Sequence, residues 1–427
     1  GLVYPDRRPH TALLEYKNVY RPARVASYDC RNGKLTLHNY MDFDDLKDFA
    51  DISYEVTADG IKVDSGNMGA VSIAPHGEKT VDLNIKIPAK GRVYLKVIYK
   101  LKKEMALIPA GHILGFDEVL VENEDGKNQT AVKWLEQAKE EKEMNVVETD
   151  SQVVIKGETF SYTYSKKNGM FTSLCYAGRE YFNHSMEVNI WRAPTDNDMY
   201  AKLEWKKAHY DDAYIRAYET VVYQNKEAVE IRVSASMGAA AVQKMMNIGI
   251  VWRIDGNGGI TSFMSIKKDE EFPDLPRFGV RLFLNNKLEN VSYYGMGPYE
   301  SYRDKHRAAS HGLYRAKVDE MHEDYIKPQE NGSHYDCDYV ELANDQFGLA
   351  AVSEKTFSFN ASVYTQEELE HAKHNYELVK SDSTVLCIDY ALNGIGSNSC
   401  GPVVMDEYRF DDVEFEFGFK LVPFVKG

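Results

Sequence analysis

The sequence predicts an all-β protein made of two β-sandwiches, one of immunoglobulin size followed by a much larger one. Apolar and polar residues alternate in many short runs, as they do along a strand with one buried face. The chain of 427 residues contains 29 tyrosines and 18 phenylalanines, which suit half-buried pleated surfaces. Helical spacing of apolar residues is confined to brief stretches. The length is enough for two or three folding units.

The first segment, residues 1–22, predicts a turn followed by a helix. Prolines and polar residues in "PDRRPH" are typical of turns. In "TALLEYKNVYR", Leu13, Tyr16 and Tyr20 recur at helical spacing and form one apolar stripe. Because an isolated helix of this length is marginal in water, we expect the stripe to pack against something.

Residues 23–122 predict the immunoglobulin-like sandwich. The clearest run places Val93, Leu95, Val97 and Tyr99 on one face, and turns containing Gly, Pro and Asp separate it from similar runs. The next stretch, residues 123–144, is polar and charged and predicts a linker, with at most a short solvated helix.

Residues 145–427 predict the large β-sandwich. Runs of alternating polarity continue to the closing "DEYRFDDVEFEFGFKLVPF", and one helical pattern, "TQEELEHAKHNYELV", interrupts them. The region is too long for a sandwich of seven strands, so we expect one sandwich with many strands.

Composition excludes several classes of function. A formal charge of -15 gives an acidic surface that repels phosphate backbones, so we expect no nucleic-acid partner. No apolar run approaches the length of a membrane span, so we expect no membrane partner. Five widely spaced cysteines favour reduced thiols over a disulfide framework or a zinc site. The chain begins with Gly1 and carries no signal peptide, which indicates a processed or truncated chain and leaves its compartment unknown.

The stretch "GMGPYESYRD" looks like an active site, because Glu300, Arg303 and Asp304 lie within five positions. They could form an acid–base set. The alternative is a salt-bridged corner, in which Arg303 pairs with a carboxylate and satisfies buried backbone groups. Catalytic carboxylate pairs usually face each other from different strands, so we interpret this stretch as structural.

Two further motifs raise the same question. In "NIWRAPTDND", Trp191 could stack on a sugar, and Asp196 and Asp198 could bind hydroxyl groups or a hard cation. The alternative is a core tryptophan beside an ion network that includes Arg192. In "YIKPQENGSHYD", Glu330 precedes an Asn-Gly turn, which is a hairpin signal. We interpret both motifs as architecture.

Two other segments are candidate binding sites. His371 and His374, with Glu367 and Glu370 nearby, have a spacing that can bind a metal. No third ligand is indicated, so we favour a solvated helix face and predict no metal site. The segment "NGIGSNSCGP", residues 393–402, is small, polar and rich in turn residues. It is typical either of a loop close to a ligand or of a plain surface loop.

Taken together, these motifs resemble the C-terminal part of the large β-galactosidases of the lacZ type, in glycoside hydrolase family two. The resemblance runs from end to end. It rests on five stretches in the family's order, namely "GLVYPDRRPHTALLEYKNVYRP", "NIWRAPTDNDMY", "YYGMGPYESYRD", "YIKPQENGSHYD" and "NGIGSNSCGP".

The resemblance implies a fold for each segment and a location for the catalytic residues. Residues 1–22 would be the tail of a catalytic (β/α)8 barrel, and residues 145–427 a supersandwich related in shape to galactose mutarotases. The two catalytic glutamates of this retaining family lie on barrel strands, and so would the Mg or Na ions of the parent enzyme. The resemblance therefore implies no catalytic residue and no cofactor within this chain.

One loop is expected to reach the rim of the active site, through Gly396, Ser397, Asn398, Ser399 and Cys400. In better-known members a tryptophan of this loop stacks on substrate, whereas here the matching residue is the cysteine. A thiol is too small to stack on a pyranose ring, which puts lactose in doubt as the preferred substrate.

The resemblance also implies partners. These are the chain's own catalytic barrel, a β-galactoside substrate bound by the parent enzyme, and further copies in a homo-oligomer. Two alternatives stay open. One is a carbohydrate-binding sandwich that uses Trp191 or tyrosine-lined grooves. The other is an epimerase-type site with Glu300 and either His306 or His311 as acid and base.

Overall fold

The computed structural model describes residues 2–136, 142–240, 242–396 and 398–426. It divides into two compact units. Unit 1 comprises Gly1–Val132, Met296–Tyr299 and His306–Leu313, and unit 2 comprises Lys133–Gly295, Glu300–Lys305 and Tyr314–Gly427. Strands dominate both units, so the prediction of an all-β protein is confirmed.

Unit 1 contains two antiparallel sheets. Its helices and strands are α1 (Thr11–Val19), β1 (Ala23–Asp29), β2 (Lys34–Asn39), α2 (Leu46–Phe49), β3 (Ala50–Ala58), β4 (Ile61–Gly69), β5 (Glu78–Asp82), β6 (Val93–Leu101) and β7 (Ile113–Val121). Among the described residues the sheets run in the orders β1-β2-β5 and β4-β3-β6-β7. Their facing sides bury one apolar core that includes Leu35, Leu37, Ile52, Leu95 and Tyr99.

Strand β6 is buried on both faces, which its sequence pattern does not indicate. Val93, Leu95 and Val97 point into the core, as alternation predicts. On the other face Tyr94 stacks on His311, with 4.2 Å between ring centroids. The later segment His306–Leu313 therefore belongs to this unit and covers its second face.

The prediction that α1 packs through an apolar stripe is wrong. Tyr16 and Tyr20 are 48% and 69% exposed, and their ring centroids lie 4.4 Å apart. The helix is instead anchored by the buried Asn18, whose Oδ1 accepts the N–H of Phe116 and whose Nδ2 donates to the carbonyl of Arg307. A polar side chain that completes the edge of β7 and the later segment thus replaces the expected apolar contact.

Unit 2 begins near the expected linker. Within that stretch α3 spans Gln129–Leu135, and residues 137–141 lie outside the described residues. Trp134 donates its indole N–H to Glu341 Oε1 at 3.0 Å and packs on Phe424, with 5.4 Å between centroids. The end of this helix is therefore held by a tryptophan and is not simply solvated.

A small sheet of unit 2 packs its aromatic face inward. Its strands are β8 (Asn145–Glu148), β9 (Gln152–Lys156), β10 (Phe160–Ser165), β11 (Met170–Tyr176) and β12 (Arg179–Glu180), in the order β12-β11-β10-β9-β8. Phe171 of this sheet meets Trp252 edge to face, with 5.3 Å between centroids. This contact joins the small sheet to the core of the large one.

Within the described residues, twelve strands form the large sheet. They are β13 (Phe182–Asn189), β14 (Tyr214–Gln224), β15 (Ala228–Gly238), β16 (Met246–Asp255), β17 (Ile260–Lys268), β18 (Arg277–Asn285), β19 (Asn290–Gly297), β20 (Ser310–Lys317), β21 (Ser333–Ala343), β22 (Phe347–Ser362), β23 (Ser383–Leu392) and β24 (Glu414–Val425). The main path is β13-β18-β23-β22-β24-β17-β16-β15-β14, so β13 and β14 are its two ends. The remaining three strands branch from β22 through β21.

Two short α-helices interrupt these strands, α4 (Ala201–Lys207) and α5 (Gln366–His371). The helix predicted for residues 365–379 is shorter than expected. Thr365 caps it by accepting the N–H of Glu368, and it ends at His371, before a separate single turn at Asn375–Glu377. His374 therefore lies outside the helix.

All five cysteines are free thiols, as the sequence predicts. A search of the described residues finds no helix that is both long and apolar enough to cross a membrane.

Candidate functional site

The loop of residues 393–402 follows β23 and is anchored at its first half. Phe410 donates its N–H to Asn393 Oδ1 at 2.9 Å, and Gly394 donates to the carbonyl of Tyr408. A Cβ atom on Gly394 would lie 2.8 Å from Asp304 Oδ2, so any other residue would have to displace the Asp304 carboxylate. The start of the loop is thus fixed to the sandwich.

The side chain of Arg192 binds the first residues of this loop. Its side chain is completely buried, and it donates through Nη1 to the carbonyl of Asn393 and through Nη2 to that of Gly394. The same Nη2 lies 2.7 Å from Asp198 Oδ1. The guanidinium therefore links a buried carboxylate to two loop carbonyls.

Asp198 lies in the single turn that follows Arg192. Its Oδ2 accepts the N–H and the hydroxyl of Thr195, which closes a capping box. Asn197 reaches the same loop by donating to the carbonyl of Ile395 at 2.9 Å. Asp196 is exposed and stands outside this ion network, which therefore pairs Arg192 with Asp198.

Asp304 binds two backbone N–H groups of the same loop. Its two oxygens accept the N–H groups of Ile395 and Gly396, at 3.1 and 2.8 Å. Its neighbour Arg303 donates to the carbonyl of Arg409 at 2.8 Å, so the expected carboxylate partner is replaced by a backbone oxygen. Arg303 and Asp304 thus act on backbone groups.

Glu300 is buried, and its carboxylate accepts hydrogen bonds from three donors. Lys305 Nζ lies 2.6 Å from Oε1, the Tyr325 hydroxyl donates to the same oxygen, and the Gly332 N–H donates to Oε2 at 2.9 Å. Burial alone would raise the pKa of this carboxyl, but Lys305 and the other donors outweigh it and lower the pKa. These contacts favour the ionised carboxylate of Glu300.

Glu330 belongs to a second buried ion cluster, centred on Arg277. The guanidinium donates to both oxygens of Asp389, at 3.1 and 2.6 Å, and lies 3.3 Å from Glu330 Oε2. Burial raises the pKa of the Glu330 carboxyl, and the charges of Arg277 and Arg192 oppose that rise. Glu330 Oε1 has no hydrogen-bond partner among the described residues.

Sequence reasoning missed Arg277, Asp389 and Lys305. A usable signal exists for two of them, since Arg277 and Asp389 interrupt the apolar strands "PRFGVRLFL" and "TVLCIDYAL". A charged residue inside such a strand needs a buried partner of opposite charge. The sequence does not say which residue that partner is.

The second half of the loop carries the rim candidates. Gly396 is held by Asp304, and Asn398 adopts a left-handed backbone with φ of 71° while donating its N–H to Pro402. Ser399 and Cys400 follow, and the Cys400 thiol is exposed. Ser397 lies outside the described residues. An anchored base with an exposed tip suits a loop that contacts a ligand.

The structure gives the remaining candidates structural partners. Trp191 is buried and donates its indole N–H to Glu370 Oε2 at 3.0 Å, which leaves no open ring for a sugar. His311 Nδ1 lies 2.6 Å from Glu118 Oε1 inside unit 1, and the backbone N–H of His306 donates to Glu15.

His371 and His374 are exposed and each contacts its own segment. Across the part of the chain that the structure describes, no group of three His, Cys, Asp or Glu residues is placed to hold a metal ion.

Comparison with known proteins gives two family matches. Residues 156–421 match the family described as "Beta galactosidase small chain". Residues 35–122 match "Beta-galactosidase, domain 4".

The curated relatives are longer than this chain. A beta-galactosidase of Actinobacillus pleuropneumoniae is 41% identical over 99% of this chain and 41% of its own length. One of Staphylococcus xylosus is 32% identical over 99% of this chain and 42% of its own length. The chain thus spans about two fifths of the relatives that it matches.

Among solved structures, a galactose 1-epimerase from Lactobacillus acidophilus NCFM covers 67% of this chain and 100% of its own. Its TM-score is 0.38 and its identity 6%. A similarity of this size carries no conclusion about a site in this chain.

Proposed function

Since this chain belongs to the β-galactosidase small-chain family, we propose that it is the non-catalytic C-terminal part of a β-galactosidase. The parent enzyme hydrolyses terminal non-reducing β-D-galactose residues in β-galactosides. The relatives named beta-galactosidase support this activity, since they match 99% of the chain. The catalytic glutamates and the Mg or Na ions lie in a barrel that is part of the same parent chain.

One observation carries the non-catalytic role. The acidic residues of the most suggestive motif, Glu300 and Asp304, are occupied by Lys305 and by loop N–H groups. A retaining glycosidase needs two carboxylates about 5–5.5 Å apart that face the scissile bond. Carboxylates that are held by structural partners are poorly suited to that task.

The proposed contribution to catalysis is the rim loop, residues 396–400. Arg192, Asn197 and Asp304 hold the backbone at the start of this loop, and the exposed Cys400 follows as the residue that would meet the aglycone. The sandwiches also supply surfaces for the barrel and for further copies of the enzyme in a homo-oligomer.

Replacing Cys400 by tryptophan in the full-length enzyme tests the rim role. An indole ring at this position offers a face to the glucose unit of lactose, worth about 1 kcal/mol. We expect the kcat/KM of lactose to rise about fivefold relative to that of methyl β-galactoside, whose aglycone has no ring to stack on the indole. Steady-state kinetics with both substrates measure this ratio.

Val147→Trp is the matched control, because it places the same ring on the exposed strand β8 of the small sheet. It should leave the ratio unchanged. If Cys400→Trp gives the ratio of the unmodified enzyme, the loop does not reach the aglycone.

A further inference from the structure

A large cavity opens in unit 2 between the two end strands of the large sheet. Its volume is about 840 Å³, within the range of small-molecule sites. Residues 187–191, from β13 onward, form one wall, and residues 213–217, largely from β14, form another. The cavity lies where the path of strands begins and ends, and no further strand of the described residues pairs with β13 or β14 there.

The charges that line this cavity are balanced. Three cationic residues and three anionic residues contribute to the lining, namely Lys167, Arg216, Arg281, Glu187, Asp211 and Glu367. A formally neutral lining gives an ionic ligand no net attraction. The cavity therefore favours an uncharged ligand with many polar groups.

Arg281 fixes the positions of two of these carboxylates. It donates through Nε to Glu187 at 2.6 Å and through both terminal nitrogens to Glu367, at 2.8 and 3.0 Å. Its Nη1 also reaches Gln366 Oε1 at 2.8 Å. Such paired hydrogen bonds restrict both rotation and position of the carboxylates.

Arg281 is much less exposed to solvent than the two carboxylates that it binds. Arg281 is only 10% exposed, whereas the side chains of Glu187 and Glu367 are 40% and 50% exposed. The carboxylates thus keep oxygen lone pairs open to the cavity, while the charge that holds them is buried. Burial would raise the pKa of Glu367, but Arg281 lowers it, so this acceptor stays ionised.

An open aromatic ring completes the lining. Tyr214, at the start of β14, is 55% exposed, whereas Tyr210 and Trp191 are buried and form part of the wall. An exposed aromatic ring and fixed hydrogen-bond acceptors in the lining of one cavity match the two sides of a sugar ring, one lined with C–H groups and the other with hydroxyls.

We propose that this cavity binds a neutral saccharide of one or two units, which packs its C–H face on Tyr214 and donates hydroxyl hydrogens to Glu187 and Glu367. This site is independent of the rim loop and of the proposed hydrolytic function. It would be a second carbohydrate contact of the protein.

Saturation-transfer NMR and calorimetric titration of the 427-residue chain with galactose, glucose, lactose and maltose test the proposal. We expect millimolar binding of at least one of these sugars. Tyr214→Ala should weaken that binding about fivefold to tenfold. Galacturonate and galactosamine should bind no more tightly than galactose, because the lining is neutral.

Tyr223→Ala is the matched control, since Tyr223 lies on the same strand, is 51% exposed and does not line the cavity. The affinity of Tyr223→Ala for sugar should equal that of the unmodified chain. Tyr223→Ala and Tyr214→Ala should unfold at the same temperature in thermal melts. The proposal is overturned if none of the four sugars binds at 20 mM (about twentyfold above a millimolar Kd), or if only the charged sugars bind. It is equally overturned if Tyr214→Ala binds as tightly as Tyr223→Ala.

Discussion

Arg277→Met will destabilise unit 2 by about 3–5 kcal/mol at pH 7, because it leaves Asp389 and Glu330 buried without their cation. Tryptophan fluorescence during urea denaturation measures this directly. The chain has four tryptophans, and all of them, Trp134, Trp191, Trp205 and Trp252, belong to unit 2. The signal therefore reports on the unit that carries the change.

The loss of unfolding free energy caused by Arg277→Met should grow with pH. Burial raises the pKa of both carboxyls in the folded state, and without Arg277 the only cation among the described residues that still opposes that rise is Arg192, which acts on Glu330. Between the ordinary pKa of a carboxyl and the raised folded value, the unfolded chain has released protons that the folded chain still holds. Stability then falls as pH rises through this window, so the loss should be larger at pH 8 than at pH 5.

Two further variants make this result specific. Arg253→Met removes an exposed partner of Glu227 at 3.4 Å and should cost at most about 1 kcal/mol. Adding Asp389→Asn to Arg277→Met should recover part of the stability, because it removes one of the stranded charges. An Arg277→Met variant as stable as Arg253→Met would show that the buried cluster contributes little.

Glu300→Gln will cost about 3 kcal/mol at pH 7, because Lys305, whose side chain is 15% exposed, loses its buried counter-charge while the shape of the residue 300 side chain is kept. The Gly332 N–H and the Tyr325 hydroxyl also lose a charged acceptor. The same fluorescence measurement applies, since these residues lie in unit 2.

The pH dependence of this second variant has the opposite sign. The pKa of Glu300 is lowered in the folded state, so its contribution is present above the ordinary value of 4.5 and is lost as pH falls through the folded pKa. The difference between Glu300→Gln and the unmodified chain should therefore shrink in acid. Glu414→Gln, which removes an exposed partner of Lys267, should show no measurable change at either pH. A difference that stays constant from pH 7 to pH 3 would mean that Glu300 is not held as an anion.

The fold was predictable where burial follows a simple period. In β6, Val93, Leu95 and Val97 face the core as their alternation indicates. Alternation cannot reveal that Tyr94, on the other face, stacks on His311 more than two hundred positions later. In α1 the spacing of Tyr16 and Tyr20 predicts the wrong face, because a single buried Asn18 outweighs two tyrosines whose tilted rings contact each other.

The candidate site was predictable as a set of motifs but not as a set of partners. That Glu300 is structural stays a prediction, and the partner of its carboxylate, Lys305, lies only five positions away. Arg192 reaches Gly394 across 202 positions, and Arg277 reaches Asp389 across 112. Such pairings depend on strand order, which one sequence without a fold does not provide.

Hydrolysis of 2-nitrophenyl β-galactoside by the purified 427-residue chain tests the central claim most directly. The chain should be produced in a host without a β-galactosidase of its own, and its cooperative unfolding by fluorescence should establish that it is folded. We expect no nitrophenol release above the rate without protein, because the bond-breaking carboxylates belong to the rest of the parent enzyme. Release that scales with the concentration of the chain and follows it through purification would contradict this account.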